Sequence, residues 1–182
     1  MGIILVNKKF YLLDPKGVEL KKNSIDFRYN IQTTLSSSIH NLRKTERKVY
    51  NKGNVAVAQF IFNDFIQTLY SHSQIDYPTD PYLHYAKEDN LFASSCAILR
   101  KDKIFTTLEL SSKDSLLPYD RCVDTEAKLL EQIRFLADTF KPAEGIVNLF
   151  TELYPCTSCK NVIDQFEKRY NGNITLNVFY EK

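Results

Sequence analysis

The sequence predicts an α/β fold, in which a mixed sheet carries helices on both faces. A chain of 182 residues is long enough for one domain with a real core, and 43% of it is hydrophobic. Segments of two-residue and of helical periodicity follow one another along the chain. Its second half alternates strands with helices, an order typical of crossover connections that return the chain to one sheet.

The first fifty residues are expected to form a hairpin and then a helix. Apolar runs at 3–6 and 10–13 precede a turn sequence, Asp14-Pro-Lys-Gly17, which predicts an N-terminal hairpin extension over residues 1–25. The main domain would then cover residues 26–182. Its first helix is expected to begin near Asp26 and to end at Asn51-Lys-Gly53. The apolar stripe of that helix consists of Phe27, Ile31, Leu35, Ile39, Leu42 and Val49.

The middle of the chain is expected to supply strands joined by long loops. The segment 65–70 fits either a strand or a short helix. Residues 71–90 form a loop whose length favours a functional role, and 111–119 form another. The expected strands are 54–62, 92–99 and 103–110.

The C-terminal third has the clearest periodicity. Residues 124–140 predict a helix with a broad apolar face, ended by Pro142, and 156–170 predict a second helix. The apolar segment 145–150 is typical of a central strand that is covered on both sides. Residues 174–180 alternate as a last strand.

The charge is unevenly distributed. Residues 1–60 carry 11 Lys and Arg against 4 Asp and Glu, whereas 61–182 carry 13 against 18. The basic excess is concentrated in residues 41–52. That segment is either a solvated helix face or a surface for a phosphate backbone or an acidic partner.

Four cysteines are present, at positions 96, 122, 156 and 159. A chain of this length does not need disulfides as staples, so the Cys-x-x-Cys spacing at the start of a helix indicates a metal site first and redox chemistry second. Cys96 and Cys122 are expected to be small buried apolar residues.

The order of elements brings two clusters of polar residues together. Because consecutive strands and helices run up and down, the N-termini of helices 124–140 and 156–170 lie at the same end. Asp124 and Glu126 are therefore expected to face Cys156 and Cys159. Two thiolates and one further ligand leave zinc an open position for water, and a carboxylate that is not a ligand can carry protons. We expect Asp124, Cys156 and Cys159 to be the zinc ligands and Glu126 to be the catalytic residue.

These residues also carry a resemblance. Asp124-Thr-Glu126 and Pro155-Cys-Thr-Ser-Cys159 stand where zinc deaminases have His-x-Glu and Pro-Cys-x-x-Cys. Over roughly residues 50–182 the chain resembles the bacterial polymorphic-toxin deaminases of the cytidine-deaminase-like superfamily. The matching segments are Gly53-Asn-Val-Ala-Val-Ala, Ser71-His-Ser, 121–131 and 148–166.

The resemblance implies a cytidine-deaminase-like fold and a zinc-dependent hydrolytic deaminase. Its substrate would be a base in DNA or RNA, single- or double-stranded, with cytosine before adenine. It would be the toxic domain of an antibacterial effector, secreted or injected into the cytoplasm of a target cell, or otherwise a cytoplasmic protein. A cognate immunity protein is an expected partner. A membrane is not expected as a partner, since no apolar run approaches the length of a span.

The first ligand departs from the usual pattern. With Asp124 in place of histidine, one Zn²⁺ and three anionic ligands sum to −1, where histidine would give zero. Such a site makes bound water harder to deprotonate, although two helix dipoles offset part of this effect. Cys122, two residues upstream, is the rival ligand and would give the same sum.

Two further residues are candidates for substrate binding. His72 lies in the loop that can reach the cleft, and Asn54 stands at the head of a strand, where the alternative is a turn residue.

Two other classes of protein stay open from the residues: a thiol–disulfide protein, and a non-catalytic, zinc-stabilised binding or immunity module.

Overall fold

A computed structural model describes residues 7–37, 52–112 and 115–181 of the chain. Five strands form one mixed sheet in the order β1–β7–β6–β2–β3, and β4 and β5 form a separate antiparallel pair. The strands of the sheet are β1 Asn7–Phe10, β2 Val55–Phe62, β3 Phe65–His72, β6 Gly145–Thr151 and β7 Ile174–Tyr180. The separate pair is β4 Glu109–Ser112 and β5 Ser115–Asp120.

Helices cover both faces of the sheet, as the sequence predicts. The long helix α1 lies on one face, and α4 and α5 pack together on the other. The helices are α1 Pro15–Ser37, α2 Pro81–Tyr85, α3 Leu91–Ser94, α4 Thr125–Phe140 and α5 Thr157–Tyr170. Among the described residues, no helix has the length and apolar character needed to cross a membrane.

The central strand β2 shows why both faces are covered. Ala56, Ala58 and Phe60 join the core beneath α4 and α5, while Val55 and Val57 join the core beneath α1. A strand that is buried on both sides has to be apolar at nearly every position, which accounts for its continuous apolar run.

The strand directions assemble one end of the sheet. β6 and β7 are parallel, and β2 runs antiparallel to both β3 and β6. The start of β2 therefore lies beside the ends of β3 and β6. The last strand of the sheet before α4 is β3, and the expected strand 103–110 is not part of the sheet.

The expected N-terminal hairpin is wrong. Residues 7–10 pair in parallel with β7, and α1 begins at Pro15 and continues through the expected boundary at residue 25. The turn-like sequence starts a helix because Asp14 Oδ1 accepts a hydrogen bond from Lys16 N at 2.9 Å and Pro15 occupies the first turn. In α1, Phe27, Ile31 and Leu35 are buried as predicted. Residues 1–6 and the remainder of the predicted stripe lie outside the described residues.

The expected strand pair at 92–99 and 103–110 is also wrong. Asn90 caps the short helix α3 by accepting hydrogen bonds from the backbone of Phe92 and Ala93. The backbone N–H groups of Ile104 and Phe105 bind the side chain of Glu131 rather than a strand. Part of the expected loop 111–119 belongs to the β4–β5 pair.

Candidate active site

Three ligand-type side chains converge at the end of the sheet where α4 and α5 begin. The ligand atoms of Asp124, Cys156 and Cys159 all lie within 4.8 Å of one another. Asp124 Oδ2 is 3.3 Å from Cys156 Sγ and 3.2 Å from Cys159 Sγ, and the two sulfurs are 3.4 Å apart. The predicted convergence of a carboxylate and two thiols is therefore present, and the group could hold a metal ion.

Helix starts position each of these side chains. Cys156 is the N-cap of α5, and its Sγ accepts a hydrogen bond from Cys159 N at 3.4 Å. Asp124 is the corresponding residue of α4 and follows a short 3-10 helix, Arg121–Val123. Unpaired N–H groups and a partial positive charge at both helix starts favour anionic groups.

Glu126 is buried beside this group, and two threonines hold its carboxylate. Thr151 donates to Oε1 and Thr125 donates to Oε2, each at 2.9 Å, and Oε2 lies 3.4 Å from Cys159 Sγ. The amide of Asn54 in turn donates to both threonine hydroxyls, at 2.8 and 3.1 Å. The carboxylate is thus fixed in orientation by one threonine on α4 and one on β6, and Asn54, just before β2, holds both threonines.

The acidic groups of the site perturb one another. Burial, and then the charge of Asp124, raise the pKa of Glu126, while the two threonine hydroxyls act against this. The hydrogen bond from Cys159 lowers the pKa of the Cys156 thiol and raises that of Cys159. Crowded acids that share protons in this way are the arrangement that a bound cation would relieve.

The group lies on the wall of a cavity of about 610 Å³, within the range of small-molecule sites. The basic residues Lys52 and Arg121 line it together with Asn54, Leu153 and Tyr154. The half-exposed Tyr154 ring packs edge-on against Tyr180, and the Lys160 ammonium lies 4.5 Å from its centre. An aromatic ring and cationic side chains on the wall of one cavity suit a planar base that carries phosphate.

His72 takes a different place from the one predicted. It is fully buried, does not line the cavity, and packs against Gly53, where a Cβ would collide with the imidazole. Its neighbours Ser73 and Gln74 line the cavity instead. As a substrate contact, His72 therefore stays a prediction that the cavity lining does not support.

Lys128 holds the end of β3 and the loop that follows it. Its buried ammonium donates to the carbonyl oxygens of His72 and Ile75 at 2.7 Å and to Asp76 Oδ1 at 2.8 Å. One lysine thus fixes this part of the cavity wall to α4.

The geometry favours Asp124 over Cys122 in the converging group. Cys122 interacts with Asp120 and Lys103 instead. Cys96 is partly buried and packs against the core beneath α1, and burial raises the pKa of its thiol to about 12. The thiol therefore borders the core, whereas the prediction was of a buried residue.

Sequence reasoning missed Thr125, Thr151 and Arg121. Arg121 Nε lies 2.9 Å from Asp124 Oδ2. A basic residue three positions before an expected ligand is a usable signal for such a contact. Thr151 gives no comparable signal, since it is 25 residues from Glu126 in the chain.

Comparison with known families agrees with the predicted toxin-deaminase family. A family model of toxin deaminases, described as the BURPS668_1122 family of deaminases, matches residues 32–182. The chain belongs to this family of toxin deaminases, which supports an enzyme that deaminates a nucleobase. The mixed α/β sheet is consistent with the cytidine-deaminase-like fold. Searches of curated proteins and of solved structures found no match.

Proposed function

We propose that this protein is a zinc-dependent deaminase that acts on a base in nucleic acid, with cytosine favoured, as the toxic domain of an antibacterial effector. The observation that carries the proposal is the convergence of Asp124, Cys156 and Cys159 beside the held carboxylate of Glu126 on the wall of one cavity. Family membership supports the reaction class.

The donor set fits zinc. With ordinary bond lengths, a tetrahedral zinc site separates two thiolate sulfurs by about 3.8 Å and a sulfur and a carboxylate oxygen by about 3.5 Å. The corresponding distances here are 3.4 Å and 3.2–3.3 Å, so small adjustments would admit the ion. When bound, zinc would supply a Lewis-acidic position at which water ionises near neutral pH.

The chain's own residues supply the proton transfer. Glu126 would take a proton from the attacking water and deliver it to the exocyclic amine, which leaves as ammonia while the water oxygen becomes the carbonyl oxygen. Thr125 and Thr151 keep the carboxylate oriented toward the reacting atoms. Burial of Glu126 keeps bulk water from competing for its proton.

The cavity supports a nucleotide-sized substrate. Tyr154 can stack on a base, while Lys52 offers positive charge for phosphate. Asn54 is proposed as a substrate contact through its Oδ1 atom, which is buried and has no hydrogen-bond partner among the described residues. The basic segment 41–52, of which Lys52 is described, is proposed to extend this surface.

Sequencing after exposure tests the proposal. Single- and double-stranded DNA and RNA are incubated with the protein and sequenced for C-to-T and A-to-G changes. We expect C-to-T changes and about one zinc per chain in the wild type. Glu126→Ala should lose the changes and keep zinc, whereas Cys159→Ser should lose both. Wild-type protein that binds zinc and leaves every substrate unchanged would instead indicate a binding or immunity module.

The close sulfurs and the lowered pKa of Cys156 also favour a thiol–disulfide protein as a second candidate. Thiol–disulfide exchange does not require Asp124 as a ligand. Oxidoreductase activity that survives in Asp124→Asn, without deamination in the wild type, would favour this candidate.

A further inference from the structure

The contact between Arg121 and Asp124 lies at the centre of the proposed metal site. Arg121 Nε is 2.9 Å from Asp124 Oδ2, and the two side chains are 18% and 10% exposed. The same Oδ2 atom contacts both cysteine sulfurs, at 3.3 and 3.2 Å. The guanidinium is therefore paired with the atom that would approach the metal.

A tight turn fixes this pair. Arg121 opens the 3-10 helix, with its backbone N–H donating to Leu108 O at 3.2 Å, and Asp124 N donates to Arg121 O at 3.0 Å. Asp120 caps the turn by accepting from Cys122 N at 3.0 Å. The backbone of this turn thus brings Arg121 and Asp124 close together.

Arg121 has the charge that the ligand set requires. Three anionic ligands and one Zn²⁺ leave −1, and one guanidinium, which stays protonated at all relevant pH, brings the sum to zero. With a histidine ligand, as in the usual deaminase pattern, the sum would already be zero and an arginine would make it positive. The charge of Arg121 therefore neutralises a site with an aspartate ligand, but it would be in excess beside a histidine ligand.

We propose that Arg121 is a positioning residue that balances the charge of Asp124 and thereby sustains zinc affinity. The inference rests on the proposed function, because it requires zinc at Asp124, Cys156 and Cys159. It gives Arg121 a role that does not depend on which substrate is bound.

Zinc affinity in a double-mutant cycle tests the inference. The wild type, Arg121→Gln, Asp124→His and the double variant compete for zinc with a chromophoric chelator, without substrate. In the Asp124 background, loss of Arg121 should weaken zinc binding by about tenfold or more, the usual range for partners of metal ligands. In the Asp124→His background, the same change should leave zinc affinity unchanged or raise it.

Two controls separate charge from folding. Arg121→Lys retains the charge and should stay closer to the wild type than Arg121→Gln does. Arg169→Gln removes an arginine that pairs with Asp138 near the other end of α5, and should leave zinc affinity unchanged. If Arg121→Gln does not fold, the comparison of Asp124→His with the double variant tests the inference. The double variant must then bind zinc at least as tightly as Asp124→His does.

Two results would overturn the inference. One is an Arg121→Gln variant with wild-type zinc affinity, which would leave Arg121 as a substrate contact at most. The other is an equal loss of zinc affinity in both backgrounds, which would mean that Arg121 acts through the fold. A wild type that binds no zinc would refute the proposed function instead.

Discussion

Two sets of buried charge on α4 serve different purposes. Lys128, Glu131 and Arg134, which follow Glu126 over the next turns of the helix, are buried and paired with loops and with one another. Glu126, in the first turn, is equally buried, but it faces the two sulfurs and the cavity. One helix thus carries both a structural set of charges and the carboxylate that we propose to be reactive.

Lys128 and Glu126 differ in how fully their hydrogen-bond partners compensate for burial of the charge. The ammonium of Lys128 has three acceptors, which match its three protons. Both oxygens of Glu126 accept from threonines, yet burial and Asp124 still raise its pKa. A buried charge that is fully paired stabilises structure, whereas one that is destabilised beside a cavity is available for proton transfer.

The largest effect is expected at the reactive end. Glu126→Gln keeps the size of the side chain and removes the proton acceptor, so deamination should fall about a thousandfold, within the usual range for a general acid–base. Single-turnover assays on the substrate found by sequencing measure the loss, and zinc content checks the site. Activity within tenfold of the wild type would show that Glu126, like the paired charges of α4, is not the reactive group.

Among the paired structural charges of α4, Lys128→Met should have the largest effect. It leaves Asp76 and two carbonyl groups without their donor, so the free energy of unfolding should fall by about 3 kcal/mol. Denaturant titration measures this. Lys103→Met, which breaks an exposed pair with Asp120, is the matched control and should cost less than about 1 kcal/mol. Equal losses would show that burial is not what distinguishes Lys128.

A smaller effect is expected where the two threonines hold Glu126. Thr151→Val keeps the shape and removes the donor to Oε1, so kcat should fall about tenfold with little change in KM. Thr151→Ser retains the hydroxyl and should recover most of kcat. A serine variant as slow as the valine variant would show that packing, rather than the hydrogen bond, matters at this position.

Sequence alone predicted the parts of this site that depend on local pattern and on topology. The apolar face of α4 and the Cys-x-x-Cys spacing on α5 each follow from helical periodicity, and crossover geometry brings their first turns together. Asp124, Glu126, Cys156 and Cys159 were placed at one end of the sheet on this basis, and their side chains do converge there.

The remaining features depend on contacts between distant residues. Glu131 binds the backbone of Ile104, 27 residues away, so a segment with strand-like composition is held outside the sheet. The hydrogen bond between Asn54 and Thr151 spans 97 residues. Near the N-terminus, Asp14 and Pro15 suit both a turn and a helix start, and packing of α1 on the sheet selects the helix.

Glu131→Gln is the same chemical change as Glu126→Gln, five residues along α4, and should have the smallest effect. The amide oxygen of glutamine can still accept from the backbone of Ile104 and Phe105, and Arg134 keeps its contact with Asp102. We expect the free energy of unfolding to fall by about 1 kcal/mol, with deamination unchanged. Denaturant titration and the single-turnover assay measure the two quantities on one preparation. A fall in deamination beyond the loss of folded protein would show that the structural charges couple to the reactive end.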